Sequence, residues 1–337
     1  MTTGTRPEGR SSLSLAEVGP DRAAEVARVV HRAFGARPRL DPPSTAMDET
    51  VTSVAEALRA DGGLLVLRQD QPVGALLFDS TVPGRLGLRR VSVDPAHQDH
   101  GVASAMVGVA EDVAAARGLD GVWLDARDEL AETVTFWLRR GYVVVDRVGP
   151  SIRLAKTLEL ARALPTADDT REFGRRLAAQ LVPGDLVVLT GSLGAGKTTL
   201  TQGIGAGLGV RGDVTSPTFV ISRVHPSLTT GPELVHVDAY RLAGTAELDD
   251  LDLDASVADA VTVVEWGEGL AERLGQSWLD VRLDLLEHGG KAALAAAGPD
   301  RDVRRPPDLD PGEVRVITVR PRGPRWATSR LRSTLLA

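Results

Sequence analysis

Eight residues of this 337-residue chain, Gly191-Ser192-Leu193-Gly194-Ala195-Gly196-Lys197-Thr198, have the types and spacing that cradle a phosphate chain. They match G-x-x-x-x-G-K-[ST]. Glycines let the backbone wrap so that successive N–H groups point at phosphate oxygens. A helix starting at that point adds the positive end of its dipole. Lys197 supplies a point charge for the β- and γ-phosphates, and Thr198 a hydroxyl for Mg²⁺. A metal-bound triphosphate also needs a carboxylate at a strand end. Two apolar runs supply candidates. Leu234-Val235-His236-Val237-Asp238 ends in Asp238, and Val261-Thr262-Val263-Val264-Glu265 ends in Glu265. Either could be an ordinary surface carboxylate; together with the loop they read as a site.

A second glycine-bearing loop, Gln98-Asp99-His100-Gly101, precedes Val102 and Ala103. Free N–H groups at such a helix start can hold a pyrophosphate. The pattern Q-x-x-G-x-A is short and weak by itself. The other histidines add little. His31, His97, His225 and His288 show no metal-ligand spacing, and His236 belongs to a strand motif where a structural role is the plain reading. No thiolate site or disulfide exists, because the chain has no cysteine.

Those residues must be positioned by regular elements. In the first half a helix is expected over 21–34, where Ala23, Val26, Ala27, Val30 and Phe34 recur at helical spacing. Residues 35–50 read as a Pro-rich loop, followed by a helix near 50–60. Strands follow at 64–69, 73–78 and 86–95, the last stopped by Pro95. A helix over Val102–Ala116, a strand at 121–126, a helix at 130–139 and a strand pair at 142–147 and 151–156 complete the half. The second half opens on a capped helix, with Asp169 before Thr170 and an apolar face of Phe173, Leu177 and Leu181. A buried strand (186–190) and a helix (Lys197 to Leu208) flank the phosphate loop, and further strands are expected at 219–224, 233–238, 261–265, 279–286 and 313–319. Residues 1–12 read as disordered and 288–312 as a loop or mobile insertion.

Length and composition agree with two α/β domains, 13–156 and 157–337. A net charge of −7 gives no bulk pull toward nucleic acid, and 4% aromatic residues give no stacking platform for single strands. No apolar run reaches the ~18 residues of a membrane span, and MTTGTRPEGRSS has no apolar signal core, so a cytoplasmic location is expected. Of 39 cations 36 are arginine, which makes Lys156, Lys197 and Lys291 conspicuous.

Residues 157–337 resemble the bacterial ATPase family of tRNA threonylcarbamoyladenosine biosynthesis, TsaE (YjeE). Four motifs carry the resemblance in order: GSLGAGKTT (191–199), SPTF (216–219), HVDAYRL (236–242) and EWGE (265–268), with Thr170 to Gly174 as a fifth match. The resemblance implies that Ser192, Leu193, Gly194, Ala195, Gly196, Lys197, Thr198 and Thr199 bind ATP, with Thr170 and Trp266 beside the nucleotide. It implies Mg²⁺ on Thr198 and Glu265, a switch at Ser216, Pro217 and Thr218, and Asp238 orienting water or magnesium. Lys197, Asp238 and Glu265 are its catalytic candidates. The family works on TsaB-like and TsaD-like subunits, which meet tRNA, and its ATP hydrolysis resets that complex.

Residues 12–156 resemble the GNAT N-acyltransferases, through the element order, Arg90-Val91-Ser92-Val93-Asp94-Pro95, the Gln98 loop and Phe136-Trp137-Leu138-Arg139-Arg140-Gly141-Tyr142. By that match Val91 and Val93 offer backbone groups to the pantetheine arm, and Gln98, Asp99, His100, Gly101, Val102 and Ala103 hold the pyrophosphate of acetyl-CoA. The chain departs from the family where Trp137 replaces the tyrosine that protonates the leaving thiol in many members, and where Leu130 replaces an asparagine. An indole N–H cannot serve as that acid. Asp125 and Glu129 are candidate bases. A degenerate CoA-binding domain is the competing reading. For the whole chain the competitors are an N-acetyltransferase with a regulatory phosphate-loop domain, a small-molecule kinase, and a non-catalytic scaffold.

Overall fold

The computed structural model describes residues 13–241, 258–267, 269, 275–285 and 314–337. The expected disorder of 1–12 and the insertion at 288–312 lie outside them. The chain divides into two compact units. One contains residues up to Ala114 with Val122–Thr135 and Asp146–Leu154; the other contains Ala115–Gly121, Phe136–Val145 and the chain from Ala155.

The first α/β assembly runs β1 (Leu13–Val18), α1 (Ala23–Gly35), α2 (Val51–Ala60), β2 (Gly63–Arg68), β3 (Gln71–Asp79), β4 (Arg85–Val93), α3 (Val102–Ala116), β5 (Gly121–Arg127), α4 (Ala131–Leu138), β6 (Val143–Val148) and β7 (Ser151–Thr157). Its seven-stranded sheet has the order β1-β2-β3-β4-β5-β7-β6. The apolar stripe of α1 (Val26, Val30) and Val54 and Leu58 of α2 cover Leu65 and Leu77 of the sheet. Each such side chain, once buried, contributes about 1.5–3 kcal/mol. Thr50 and Ser53 start α2 as a reciprocal capping box.

The second assembly runs β8 (Leu160–Leu164), α5 (Ala167–Ala178), β9 (Leu186–Gly191), α6 (Lys197–Leu208), β10 (Ser222–His225), β11 (Glu233–Asp238), β12 (Ala260–Glu265), β13 (Trp278–Leu285), β14 (Arg315–Arg322) and α7 (Leu331–Leu336). The sheet order is β10-β11-β12-β9-β13-β14-β8. Strands β11, β12, β9 and β13 are parallel, and β10, β14 and β8 pair antiparallel outside them. Strands β11, β12 and β9 are buried, largely apolar runs, as a sheet covered on both faces requires, whereas β13 alternates buried apolar with more accessible polar residues. Ligands gather at the carboxyl ends of such strands; here those ends are Gly191, Asp238, Glu265 and Leu285.

Three features differ from the sequence expectation. The second half opens on strand β8, and the helix cap behind it is Thr166, with Asp169 as the third helical residue closing the box. LARAL is short and half-exposed, too weak a pattern to announce an edge strand. The apolar run 219–224 pairs only from Ser222, because the amides of Val220 and Ile221 fold back onto the Pro217 carbonyl in a turn. The tail closes on a short helix, α7, preceded by the fully buried Trp326.

Helices α5 and α6 touch through glycines. A Cβ on Gly203 would stand 2.1 Å from the Arg171 carbonyl oxygen, and one on Gly174 would stand 2.5 Å from that of Leu200. Backbone cannot retreat as a side chain can. Gly203→Ala is therefore expected to destabilise the second unit by about 1–3 kcal/mol, as overpacking does. Urea unfolding measures this, and a change below about 0.5 kcal/mol contradicts the close crossing.

Candidate functional site

The loop between β9 and α6 wraps rather than extends. Gly191, at φ 141°, has no room for a Cβ, which would meet the Leu283 carbonyl oxygen at 2.3 Å. Gly196 turns the chain into α6 at φ 102°. There an added Cβ would touch Arg315, whose Nε donates to the Ala195 carbonyl at 3.1 Å and braces the loop from β14. Ser192, Leu193 and Gly194 form the exposed tip, Ala195 is buried beneath it, and Thr198 and Thr199 are half-buried in the first helical turn.

Lys197 is buried, and its Nζ donates to the carbonyls of Gly191 and Ser192 at 3.0 Å each. The ammonium also lies 3.8 Å from the centroid of the Trp266 ring. Burial lowers the Lys197 pKa from its ordinary value, and the carboxylates of Glu265 and Asp238 oppose that shift. Trp266 follows Glu265 at a left-handed φ of 62°, its N–H donates to Leu189, and Tyr240 packs against its ring at 5.3 Å.

Glu265 and Thr198 meet: the Thr198 hydroxyl donates to Glu265 Oε1 at 2.9 Å. His236 Nε2 lies 2.9 Å from the same oxygen. Asp238 pairs with Glu265 in the strand register but its carboxylate meets the 216–218 segment. Its Oδ2 accepts from the hydroxyls of Thr218 (2.5 Å) and Ser216 (3.4 Å), and its Oδ1 from the Tyr240 N–H at 3.0 Å. Pro217 is buried between two accessible neighbours. Thr170 is fully buried on α5, with its hydroxyl donated to the Thr166 carbonyl and its methyl 4.0 Å from where a Gly196 Cβ would stand. The structure thus brings Thr170, the loop, Thr198, Glu265, Asp238, Ser216, Thr218 and Trp266 to one end of one sheet.

His236 and Arg315 join the site without having been singled out for it. His236 had a signal, a lone polar side chain on the same face as Asp238 in an apolar strand. Arg315 had none, being one arginine among 36.

At the other glycine loop, Gln98, Asp99, His100 and Gly101 are exposed, Val102 is buried and Ala103 half-buried at the start of α3. Asp99 and Gly101 have φ of 62° and 75°, which turn the loop into the helix. The His100 Nδ1 lies 2.5 Å from the Gln98 carbonyl. Strand β4 carries a bulge, where Arg90 and Val91 oppose Leu76 alone and Arg90 has φ 52°. The bulge turns the Val91 carbonyl out of the ladder, where it accepts from Arg37 Nη2 at 3.3 Å. Val93 is half-buried at the strand end. Asp125 and Glu129 are both ion-paired, with Arg153 and Arg127. Trp137 is buried, edge-on to Phe136 and Tyr142, and packs as a core residue.

The donors at Thr198 and Glu265 are hard oxygens, the set that suits Mg²⁺. Among the described residues no group of three His, Asp or Glu side chains forms a protein-only metal cage, so phosphate oxygens and water would have to complete the shell.

Comparison with known proteins adds the following. The family model described as threonylcarbamoyl adenosine biosynthesis protein TsaE matches residues 164–292. The acetyltransferase (GNAT) family model matches residues 31–142. The tRNA threonylcarbamoyladenosine biosynthesis protein TsaE of Streptomyces coelicolor is 57% identical over 160 residues, which cover 47% of this chain and 95% of the relative. The Mycobacterium bovis protein of that name is 51% identical over 146 residues, covering 41% and 87%. A PaiA N-acetyltransferase of Thermoplasma acidophilum, solved in complex with coenzyme A, aligns at 13% identity and a TM-score of 0.38, covering 42% of this chain and 97% of that one.

Asp238 anchors the 216–218 segment through the hydroxyls of Ser216 and Thr218. Asp238→Ala leaves the Thr218 hydroxyl and the Tyr240 N–H without their acceptor, so the amides of Val220 and Ile221 are expected to exchange hydrogen about 10-fold faster or more. Amide exchange followed by mass spectrometry checks this, and unchanged protection contradicts it.

Proposed function

The chain belongs to the TsaE family, and on that premise we propose that its second domain, 157–337, is an ATPase supporting N6-threonylcarbamoyladenosine modification of tRNA. The observation that carries the reading is the shared oxygen of Glu265, which brings Thr198 and a strand-end carboxylate together beside a wrapped glycine loop. Backbone amides from Ser192 onward and the ammonium of Lys197 receive the phosphates of ATP. Lys197 reaches them by exchanging its bonds to the Gly191 and Ser192 carbonyls for bonds to phosphate, while Trp266 keeps water from one side of the ammonium. Thr198 and Glu265 hold Mg²⁺. When bound, magnesium supplies charge neutralisation on the triphosphate oxygens. Asp238 couples the switch hydroxyls of Ser216 and Thr218 to that end of the sheet, and through them the presence of the terminal phosphate.

Partners of the TsaB-like and TsaD-like kind, with tRNA bound to them, are the receiving machinery. Three large apolar side chains around the loop support a protein partner there: Leu193, Phe219 and Tyr240 are 89%, 86% and 66% exposed. Among the described residues no helix is long and apolar enough to cross a membrane, and the reading places the chain in the cytoplasm. The names of the relatives support this reading over a small-molecule kinase or a mainly acetyl-transferring enzyme.

The first domain, 13–156, is proposed to bind acetyl-CoA, with its pyrophosphate on Gln98, Asp99, His100, Gly101, Val102 and Ala103 and its pantetheine arm along the β4 bulge at Val91 and Val93. Acetyl transfer to an amine is its activity on this reading. With Trp137 in the core, the departing thiolate takes its proton from water or another group.

ATP turnover by the isolated chain is expected at roughly 10⁻⁴–10⁻² s⁻¹, the range of phosphate-loop enzymes without external activation. Turnover is expected to rise when the partner proteins and tRNA are added. Many turnovers per second without them would overturn the proposed activation. Calorimetric titration of the full chain with acetyl-CoA is expected to show one site per chain, and no heat of binding would leave the first domain without its proposed ligand.

A further inference from the structure

His236 stands in the middle of β11 with no exposed surface. Strands β11 and β12 are parallel, with His236 opposite Val263 and Asp238 opposite Glu265. The pleat therefore puts His236 and Glu265 on one face, one repeat apart. The ring reaches along the sheet to the carboxylate, Nε2 to Oε1, at 2.9 Å. Its other nitrogen, Nδ1, is buried and has no hydrogen-bond partner among the described residues. An N–H left orphaned there would cost more than a bare lone pair, so the ring hydrogen resides on Nε2 and is donated to Glu265.

Glu265 Oε1 then accepts two bonds, from the ring and from the Thr198 hydroxyl. Its Oε2 accepts none from the described residues. A glutamate at a strand end can rotate about its terminal torsion, because that torsion has a broad, shallow profile. Two donors on one oxygen fix the plane of the carboxylate. Any buried imidazole N–H needs an acceptor, and this one finds it in a carboxylate of the site.

We propose that His236 is a positioning residue of the magnesium site: its Nε2–H holds Oε1 of Glu265 beside Thr198 and thereby reserves Oε2 for the cation. The assignment rests on the ATP-and-magnesium reading of the site given above. His236 touches neither nucleotide nor metal. It acts through Glu265, as the outer partners of metal ligands do, whose loss lowers metal affinity about 10- to 100-fold. Leu at this position keeps the volume and removes the donor. Gln places an amide nitrogen near the place of Nε2, whereas Asn places one near Nδ1.

The test is Mg²⁺ titration of the full chain with a fluorescent ATP analogue, with parallel binding in EDTA and no added metal. His236→Leu and His236→Asn are expected to raise the Mg²⁺ concentration for half-maximal binding about 10- to 100-fold, while metal-free binding stays within about 2-fold and His236→Gln stays within about 3-fold of the native chain. Equal Mg²⁺ requirements for the native chain and the Asn variant overturn the proposal. So does a metal-free affinity that falls as far as the metal-dependent one, which is what a merely structural role produces. If the Leu variant does not fold, the Gln–Asn difference decides, and its absence overturns the assignment. A native chain whose nucleotide binding ignores Mg²⁺ brings down the ATP-and-magnesium reading itself, an outcome separate from any difference among variants.

Discussion

Parallel pairing of β11, β12 and β9 ends three strands at one level, and everything at the site depends on that alignment. Glu265 is paired with Asp238 on one side and with Leu189 on the other, two residues before the glycine that starts the loop. A slip of one residue in β12 would turn Glu265 to the opposite face of the sheet and leave Thr198 without its acceptor. The register is held by apolar side chains on both faces. Leu234, Val261 and Val263 pack under the helices, and Val235, Val237 and Val264 pack on the other side. The core is thus the ruler against which the polar groups are measured.

That polar cluster is held together against its own desolvation. Lys197, Asp238, Glu265 and His236 are all nearly fully buried. Charges taken from water are stable only where partners replace it, and removing one member of such a group commonly costs about 3–5 kcal/mol. Lys197 is supplied by two carbonyls and an aromatic face, Glu265 by a hydroxyl and an imidazole, and Asp238 by two hydroxyls and an amide. Lys197 has the most to gain from a ligand, because its present acceptors are neutral. A phosphate offers the ammonium a full opposite charge in the same low-dielectric place.

The GNAT-matching unit solves a related problem by a different device. A regular antiparallel ladder uses every carbonyl, so a strand can offer backbone groups to a ligand only where the ladder is broken. The bulge at Arg90 and Val91 does this in β4. It is fixed from outside by Arg90, whose guanidinium donates to Glu49 and Thr45, and by Arg37 on the Val91 carbonyl. The first unit therefore frees backbone from its ladder at a bulge, whereas the second turns it at a glycine.

Much of this was legible in the residues. Helices α3 and α6 begin and end where their patterns begin and end, because Gly101 and Gly196 break the chain in front of them and Gly118 and Gly209, at left-handed φ, turn it behind them. The glycine turn in front of α6 and the strand-end places of Asp238 and Glu265 were legible as well, since each follows from residue types at fixed short spacings. Edge strand β8, the turn at 217–221 and helix α7 were not, because a half-exposed or short segment takes its conformation from what it packs against. The sequence by itself determined which groups are available and which local backbone each can adopt, for these follow from glycine, proline and periodicity within a few residues. Only the tertiary structure decided that Thr198 and His236 share one oxygen of Glu265 across 67 and 29 residues, and that Arg315 braces Ala195 from 120 residues away. Such meetings are set by strand order and register, which depend on the whole core.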